Sequence, residues 1–375
     1  MKAGLRIRHL PVALASLAAC SFRPQPQSAV TADYLISDTL IRPGDFDGAF
    51  TITDLAATDT LLLVLDGPAA RICVFDTTGI LLRAFGERGE GPGCLGRPSF
   101  MCVLPPRDLL VSDLGSKSLE HFSLEGEWAG RVMEWPGDPV MYLHPLQEGA
   151  FAAFQVDWLP GSELRIASSV FACDLAGNRL AVFTSESCLV DPHDPAEALN
   201  SSLFAHRLAA GGGRAFVFKR SDPRYVIQCF DPDGVPLYRI EHAVPGARKT
   251  CEEMSAEAAQ VEDYLRALGG SSDVVQYRYS PRPWREPVAD MWVTVDGRSL
   301  WALRGDLEGS CFDVYGTLDG AFLHSARAII DTAGISRVDF FVADSERIYA
   351  VLEEDDFGQI LVRMRPAGTV TRVPI

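Results

Sequence analysis

RICVFDTTGILLRAF (residues 71–85) reads as an alternating strand, a tight turn closing on Gly79, and a second strand. The same pattern returns in SLEHFSLEGEWAGRV (118–132), SVFACDLAGNRLAVF (169–183) and VIQCFDPDGVPLYRI (226–240). It returns again in SCFDVYGTLDGAFLH (310–324) and LVRMRPAGTVTRVPI (361–375). The turn glycines are Gly79, Gly126, Gly177, Gly234, Gly320 and Gly368, at spacings of 47, 51, 57, 86 and 48. A hairpin turn that closes on a left-handed residue selects glycine, because only glycine lacks the Cβ that clashes there.

Working outward, each repeat is preceded by an apolar strand ending on aspartate: Asp66, Asp113, Asp157, Asp222, Asp306 and Asp355. One more apolar run stands upstream, as in PSFMCVLP (98–105) and VADMWVTV (288–295). Four strands per unit of about forty-five to fifty residues make a propeller blade. The expected fold is all-β, a six-bladed β-propeller of four-stranded antiparallel blades over residues 34–375, with a helical insertion between blades four and five at about 242–287. Either Tyr34–Ile41 or Thr369–Ile375 supplies the last outer strand. A role shared by six strand-end aspartates is structural, since Asp can accept from the backbone two residues on and fix the following turn.

LLVSDLGSKSLEHFSLEGE (109–127) resembles an NHL repeat. RICVFDTTGILLRAFGERGEGPG (71–93) and VADMWVTVDGRSLWAL (288–303) resemble segments of the bacterial six-bladed β-propeller lipoproteins of the TolB-like group. The resemblance spans residues 34–375 and implies blade architecture far more than activity. Cys94 departs from the family pattern, which implies an acidic residue after GEGPG.

The amino terminus implies an address. Lys2, Arg6 and Arg8 precede an apolar run from Leu10 to Ala19, the order of a secretory signal. Leu17-Ala18-Ala19-Cys20 resembles a bacterial lipobox, which implies a signal peptide over 1–19, lipidation at Cys20, and a tether over 20–33 rich in Pro, Gln and Ser. The expected location is extracytoplasmic, with Ser21 implying the outer membrane, and with membrane contact through the lipid anchor alone. A formal charge of −16 repels nucleic acid and anionic headgroups, so neither is expected as a principal ligand. Beyond Cys20 eight cysteines remain, and Cys188 and Cys251, both in inserted loops, are the first pair to test for a bridge.

The three largest departures from the repeat are residues 86–97, 184–202 and 242–287, all joining an outermost strand to the next innermost one. They crowd one rim, and loops on a rigid scaffold are where binding resides. Thr250 and Glu253 form a capping box for a helix whose apolar stripe runs Met254, Ala258, Val261, Leu265 and Leu268. Arg278, Arg282, Trp284 and Arg285 follow it and, with Arg97, are the candidate ligand-binding residues. An alternative for these arginines is pairing with nearby carboxylates in a lid segment. The leading expectation is a scaffold that binds a small ligand or an envelope protein at this face, with no cofactor and no catalytic residue assigned. The alternative is a calcium- or zinc-dependent hydrolase or lyase in the central channel using His144, His206 and His193. With Asn178 in a turn and Asn200 in a loop as its only asparagines, the chain lacks the Glu, Asp and Asn set that resemblance to propeller lactonases would imply.

Overall fold

The computed structural model describes residues 30–42, 44–45, 50–134, 140–159, 165–189, 206–220, 223–244, 246–259, 280–307, 310–331, 333–354 and 358–369. Strand β1 (Val30–Ile41) comes first in the chain. It is followed by an antiparallel sheet of β2 (Ile52–Ala57), β3 (Leu61–Asp66), β4 (Arg71–Asp76) and β5 (Leu81–Phe85). A parallel pair of two-residue strands, β6 (Glu87–Arg88) and β7 (Cys94–Leu95), lies within the first rim loop. The second sheet holds β8 (Pro98–Leu104), β9 (Asp108–Asp113), β10 (Ser118–Ser123) and β11 (Trp128–Glu134). The third holds β12 (Met141–Gln147), β13 (Ala150–Leu159), β14 (Arg165–Asp174) and β15 (Arg179–Leu189). The fourth holds β16 (His206–Gly211), β17 (Arg214–Lys219), β18 (Tyr225–Phe230) and β19 (Pro236–His242).

The remaining strands depart from the expectation of separate four-stranded sheets. β20 (Val288–Val293), β21 (Ser299–Arg304), β22 (Ser310–Gly316) and β23 (Phe322–Ile329) continue through β1 into β26 (Gly358–Pro366), β25 (Arg347–Glu354) and β24 (Ile335–Asp344), an eight-stranded sheet. The cause is β1, which pairs antiparallel with β26 (Tyr34 opposite Pro366) and parallel with β23 (Tyr34 opposite Ala328). Of the two candidates for the last outer strand, Tyr34–Ile41 takes the place. Gly368 lies in a 3₁₀ turn over Ala367–Thr369. Residues 370–375 fall outside the described residues.

Strands β3 and β4 are apolar at nearly every position because both faces of their sheet are covered. Among the described residues the apolar core divides into six clusters, each between neighbouring stacks of strands. Leu63 packs with Leu109, Leu110 with Phe151, Phe154 with Leu208, and Phe216 with Leu300. Trp301 shares a cluster with Tyr34 and Ile348, and Tyr349 one with Ile41 and Leu62. Strands β2, β8, β12, β16, β20 and β24 touch in that order, and β24 touches β2 again, so the arrangement is a propeller-like ring around a channel.

The turn glycines have a second duty. Gly126 has φ +94°, and a Cβ there would stand 2.6 Å from the ring of Phe85 on the preceding sheet's outer strand. Gly320 (φ +69°) meets Tyr238 of β19 at the same 2.6 Å. Left-handed geometry and close approach thus select the same residue.

Helix α1 covers residues 251–259 and begins as its capping box requires. The Thr250 amide donates to Glu253 Oε2 (2.6 Å), and the Glu253 amide donates to Thr250 Oγ1 (3.1 Å). No helix among the described residues is long and apolar enough to cross a membrane. None of the eight cysteines within the described residues is joined in a disulfide, so Cys188 and Cys251 are not bridged. Cys73, Cys102, Cys173, Cys229 and Cys311 are buried in strands and act as small core residues.

Tyr34 is the side chain that holds the ring shut. It is 2% exposed, its ring meets Trp301 edge-on at 5.8 Å, and its hydroxyl donates to the Ser345 carbonyl at 2.7 Å. Tyr34→Ala is expected to cost about 3–5 kcal/mol by the measure of buried aromatic truncations. Tyr34→Phe, which loses only the hydrogen bond, is expected to cost about 1 kcal/mol. Urea unfolding of both variants checks the ranking.

Candidate functional site

The innermost strands enclose a cavity of about 810 Å³ whose wall includes Asp54, Phe100, Tyr142, His144, Arg207 and Asp290. Asp54 and Asp290 occupy matching positions, third in the β2 run ITDLAA and in the β20 run VADMWV, each at a register shift. The shift turns an otherwise pleat-bound side chain toward the channel. Asp54 accepts from the Leu55 amide (2.9 Å) and, across to the next sheet, from the Met101 amide (2.7 Å). Asp290 accepts from the Met291 amide at 2.9 Å. Burial pushes the Asp54 carboxyl up to about 7, with the charge of Asp290 adding to the rise. Burial also raises Asp290, against the pull of Arg207.

Arg207 faces the same space from β16. Burial opposes its charge, but Asp290, Tyr142 and Glu286 outweigh burial and hold it firmly protonated, with Tyr142 also joined to it by a side-chain hydrogen bond. Its Nε is shut from solvent with no hydrogen-bond partner. Tyr142 lies at φ +52°, a left-handed setting that costs a non-glycine residue about 1–3 kcal/mol. Its ring lies 5.3 Å from Phe100 and 6.0 Å from Phe154. A strained tyrosine beside a partly unsatisfied guanidinium is a combination found where ligands are held.

The predicted rim residues form a smaller cavity beside this one. Arg220, Pro223, Arg282, Trp284, Arg285 and Glu286 line about 430 Å³. Arg285 Nε donates to Glu253 Oε1 at 2.9 Å, and Arg220 Nε donates to Glu286 at 2.7 Å. Arg285 is therefore committed to a carboxylate, the lid-type pairing that was the alternative for it. Trp284 bridges to Arg248, whose guanidinium stands 4.8 Å from its ring. The two cavities are coupled electrically, because Glu286 acts on Arg207 and Arg220 acts on Asp290. Arg97 lies apart, with an exposed side chain and its amide donated to Asp113 Oδ1 at 2.6 Å. Arg278 and His193 lie outside the described residues, as does Cys20.

His144 and His206 stand on innermost strands β12 and β16, as expected. His144 lines the channel, and burial lowers its imidazole to about 4. His206 does not line it. It packs 6.3 Å from Phe154 with Nε2 3.9 Å from Glu186, and burial lowers it to about 4 as well. Among the described residues no three His, Cys, Asp or Glu side chains gather into a metal-sized group.

Three of the strand-end aspartates serve the scaffold, whereas Asp157, expected at a strand end, lies within β13 opposite Ala167, with its carboxyl raised by burial. Asp113 accepts from the amides of Gly96 (2.6 Å), Arg97 (2.6 Å) and Gly115 (2.8 Å), which ties the rim loop to its own blade. Asp66 takes Arg71 at 2.9 Å, and Asp306 takes both ends of the Arg304 fork at 2.7 and 2.6 Å. Asp222 and Asp355 lie outside the described residues.

No family model matches the chain. The human E3 ubiquitin-protein ligase TRIM56 is 28% identical over 171 residues, 38% of this chain and 22% of the ligase. Its bovine counterpart is 28% identical over 169 residues, 37% of this chain and 23% of the relative, so the match covers under a quarter of these relatives. Among solved structures, a protein of Bacteroides fragilis described as exported superposes with a TM-score of 0.52 at 13% identity, over 90% of this chain and 95% of its own. The fold is a β-propeller. A gluconolactonase from Xanthomonas campestris (TM-score 0.42, 15% identity, 92% of this chain and 100% of that one) is also similar. So is a regucalcin from Agrobacterium tumefaciens (TM-score 0.44, 9% identity, 90% and 97%).

Asp54 makes a pH prediction with a definite sign. Its folded pKa of about 7 exceeds the ordinary 3.8, so the native state binds the extra proton between those values. Its contribution to stability is therefore greatest below pH 3.8 and falls as pH rises towards 7. Asp54→Asn is expected to remove that decline, leaving a flatter profile than the wild type over this window. Chemical denaturation at matched pH values measures the difference.

Proposed function

We propose that the chain is a lipid-anchored, six-bladed β-propeller that works outside the cytoplasm and binds a small polar ligand where its channel opens on the loop-rich face. The observation that carries this reading is the 810 Å³ cavity with Asp54, Tyr142, Arg207 and Asp290 converging from four different strands. A pocket of that size with few convergent polar groups on a rigid wall is the usual form of a ligand site. The rim cavity at Arg282, Trp284 and Arg285 forms the shoulder of the same site. The blade count is supported by six apolar seams and by six innermost strands touching in a closed order. Membership of the NHL-like, TolB-like lipoproteins is supported by the repeat and by Leu17-Ala18-Ala19-Cys20.

A small-molecule library screened by thermal shift tests the site. Ligand that binds only the native state raises stability with concentration. That gain is expected to vanish in Asp290→Asn and Arg207→Gln, while hits indifferent to both variants would move the site elsewhere. Tightly held zinc or calcium in stoichiometric amount, found by elemental mass spectrometry after dialysis, would replace this reading with a metal-dependent hydrolase or lyase. The anchor is checked separately. Cys20→Ala is expected to move the protein from the membrane fraction to the soluble one, because a single loss removes the only acyl attachment.

A further inference from the structure

The cations around the channel mouth are not equivalent. Arg220 holds Glu286, Arg285 holds Glu253, and Arg337 holds Asp339 at 2.8 Å. Arg207 holds the Tyr142 hydroxyl, and among the described residues makes no ion pair. A guanidinium has five donors in a planar fork, and here the solvent-shielded Nε is unused. The acids differ in the same way. Both oxygens of Asp54 accept backbone amides, whereas Asp290 spends only Oδ1 on one. Beside Asp54 and the paired Arg337 and Asp339, the Arg207 fork and Asp290 Oδ2 have unspent capacity; the exposed Asp59 and Asp296 also line the cavity. Phe100 and Tyr142 supply apolar ring surface beside them.

We infer that the channel recognises a small hydroxy acid of the sugar-acid type, with its carboxylate on Arg207, a hydroxyl donating to Asp290, and its carbon face on the Phe100–Tyr142 pair. The inference rests on the channel-mouth reading above and narrows that site's ligand to one chemical class. A carboxylate matches the planar fork in a bidentate fashion. It also brings one negative charge rather than the nearly two of a phosphate monoester, which matters in a wall lined by Asp54, Asp59, Asp290, Asp296 and Asp339. A cationic ligand would meet Arg207 at contact distance, and a wholly neutral sugar would leave its fork unused in a shielded site.

Tyr142 is the positioning residue in this scheme. Its left-handed backbone at the β12 register shift aims the phenol at Arg207 and fixes the guanidinium plane before ligand arrives. Holding the side chain in place beforehand spares the binding step that ordering cost.

The test uses the full-length protein in mild detergent, with D-glucuronate and D-glucose as probes that differ in the carboxylate. Isothermal titration calorimetry is expected to give glucuronate a Kd tighter than about 10 mM and glucose one at least about tenfold weaker. Arg207→Gln should erase the preference. Arg207→Lys, which keeps the charge without the fork, should weaken glucuronate by about fivefold or more with an unchanged circular-dichroism melting curve. Tyr142→Phe should weaken glucuronate while leaving glucose unchanged, a split that a general packing defect would not produce. Equal binding of the two probes, no saturable glucuronate signal, or a preference that survives Arg207→Gln would each overturn the inference. If the library screen meanwhile finds uncharged or cationic ligands that depend on Asp290, the ligand class falls and the channel site stands. If no ligand depends on Asp290 or Arg207, the site itself falls.

Discussion

Closure of the ring depends on one strand placed between two others. β1 pairs antiparallel with β26 and parallel with β23, so the first described strand is held on both edges by the last sheet and its neighbour. An edge strand elsewhere in the ring has one free side, while here neither side is free. Tyr34 fills the seam against Trp301 as Ile41 fills the opposite one with Leu62 and Tyr349. Both seams that flank the last stack thus contain side chains from β1, and the channel keeps its wall because this junction holds.

The channel wall works by unequal satisfaction. Most charged groups near the mouth are neutralised in pairs, which keeps the surface quiet and the loops in register. Asp113 shows the structural use of a carboxylate, taking several amides at once and holding a rim loop to its blade. Asp54 does similar work between β2 and β8, yet at a depth where its charge is costly. Among the described residues Arg207 Nε and Asp290 Oδ2 take part in no such pairing. A rigid ring lets such a residue persist, because strain at Tyr142 is spread over strands that cannot rearrange singly.

Much of this architecture was legible in the sequence, since hairpin turns, strand-end aspartates and apolar runs repeat and each repetition strengthens the others. The capping box at Thr250 and Glu253 was legible for a different reason: it is local, and its partners are three residues apart. The choice between Tyr34–Ile41 and Thr369–Ile375 was not legible, because either alternating run satisfies the pattern and only distant pairing decides. The channel was named only for its histidines, and the residues of the proposed site were missed for a related reason. Asp54, Tyr142, Arg207 and Asp290 come from four strands with no fixed spacing, and a lone aspartate in ITDLAA or VADMWV resembles any other pleat residue. A faint signal existed in the matching third position of those two strands. Rim loops drew attention because they were irregular, yet Asp113 and Glu253 hold parts of them as scaffold.

The placement of β1 also constrains how the molecule is made. Tyr34 and Ser345, joined by a hydrogen bond, are 311 residues apart, so the contact forms only after nearly the whole chain has been synthesised. Local hairpins can form early, but the ring remains an open arc until β26 and β1 meet, and such long-range closure slows folding. Folding of the ring is thereby tied to contacts between strands far apart in the chain, and a chain cut short of β26 could hold its separate hairpin sheets but not the β1–β26 pairing that shuts them.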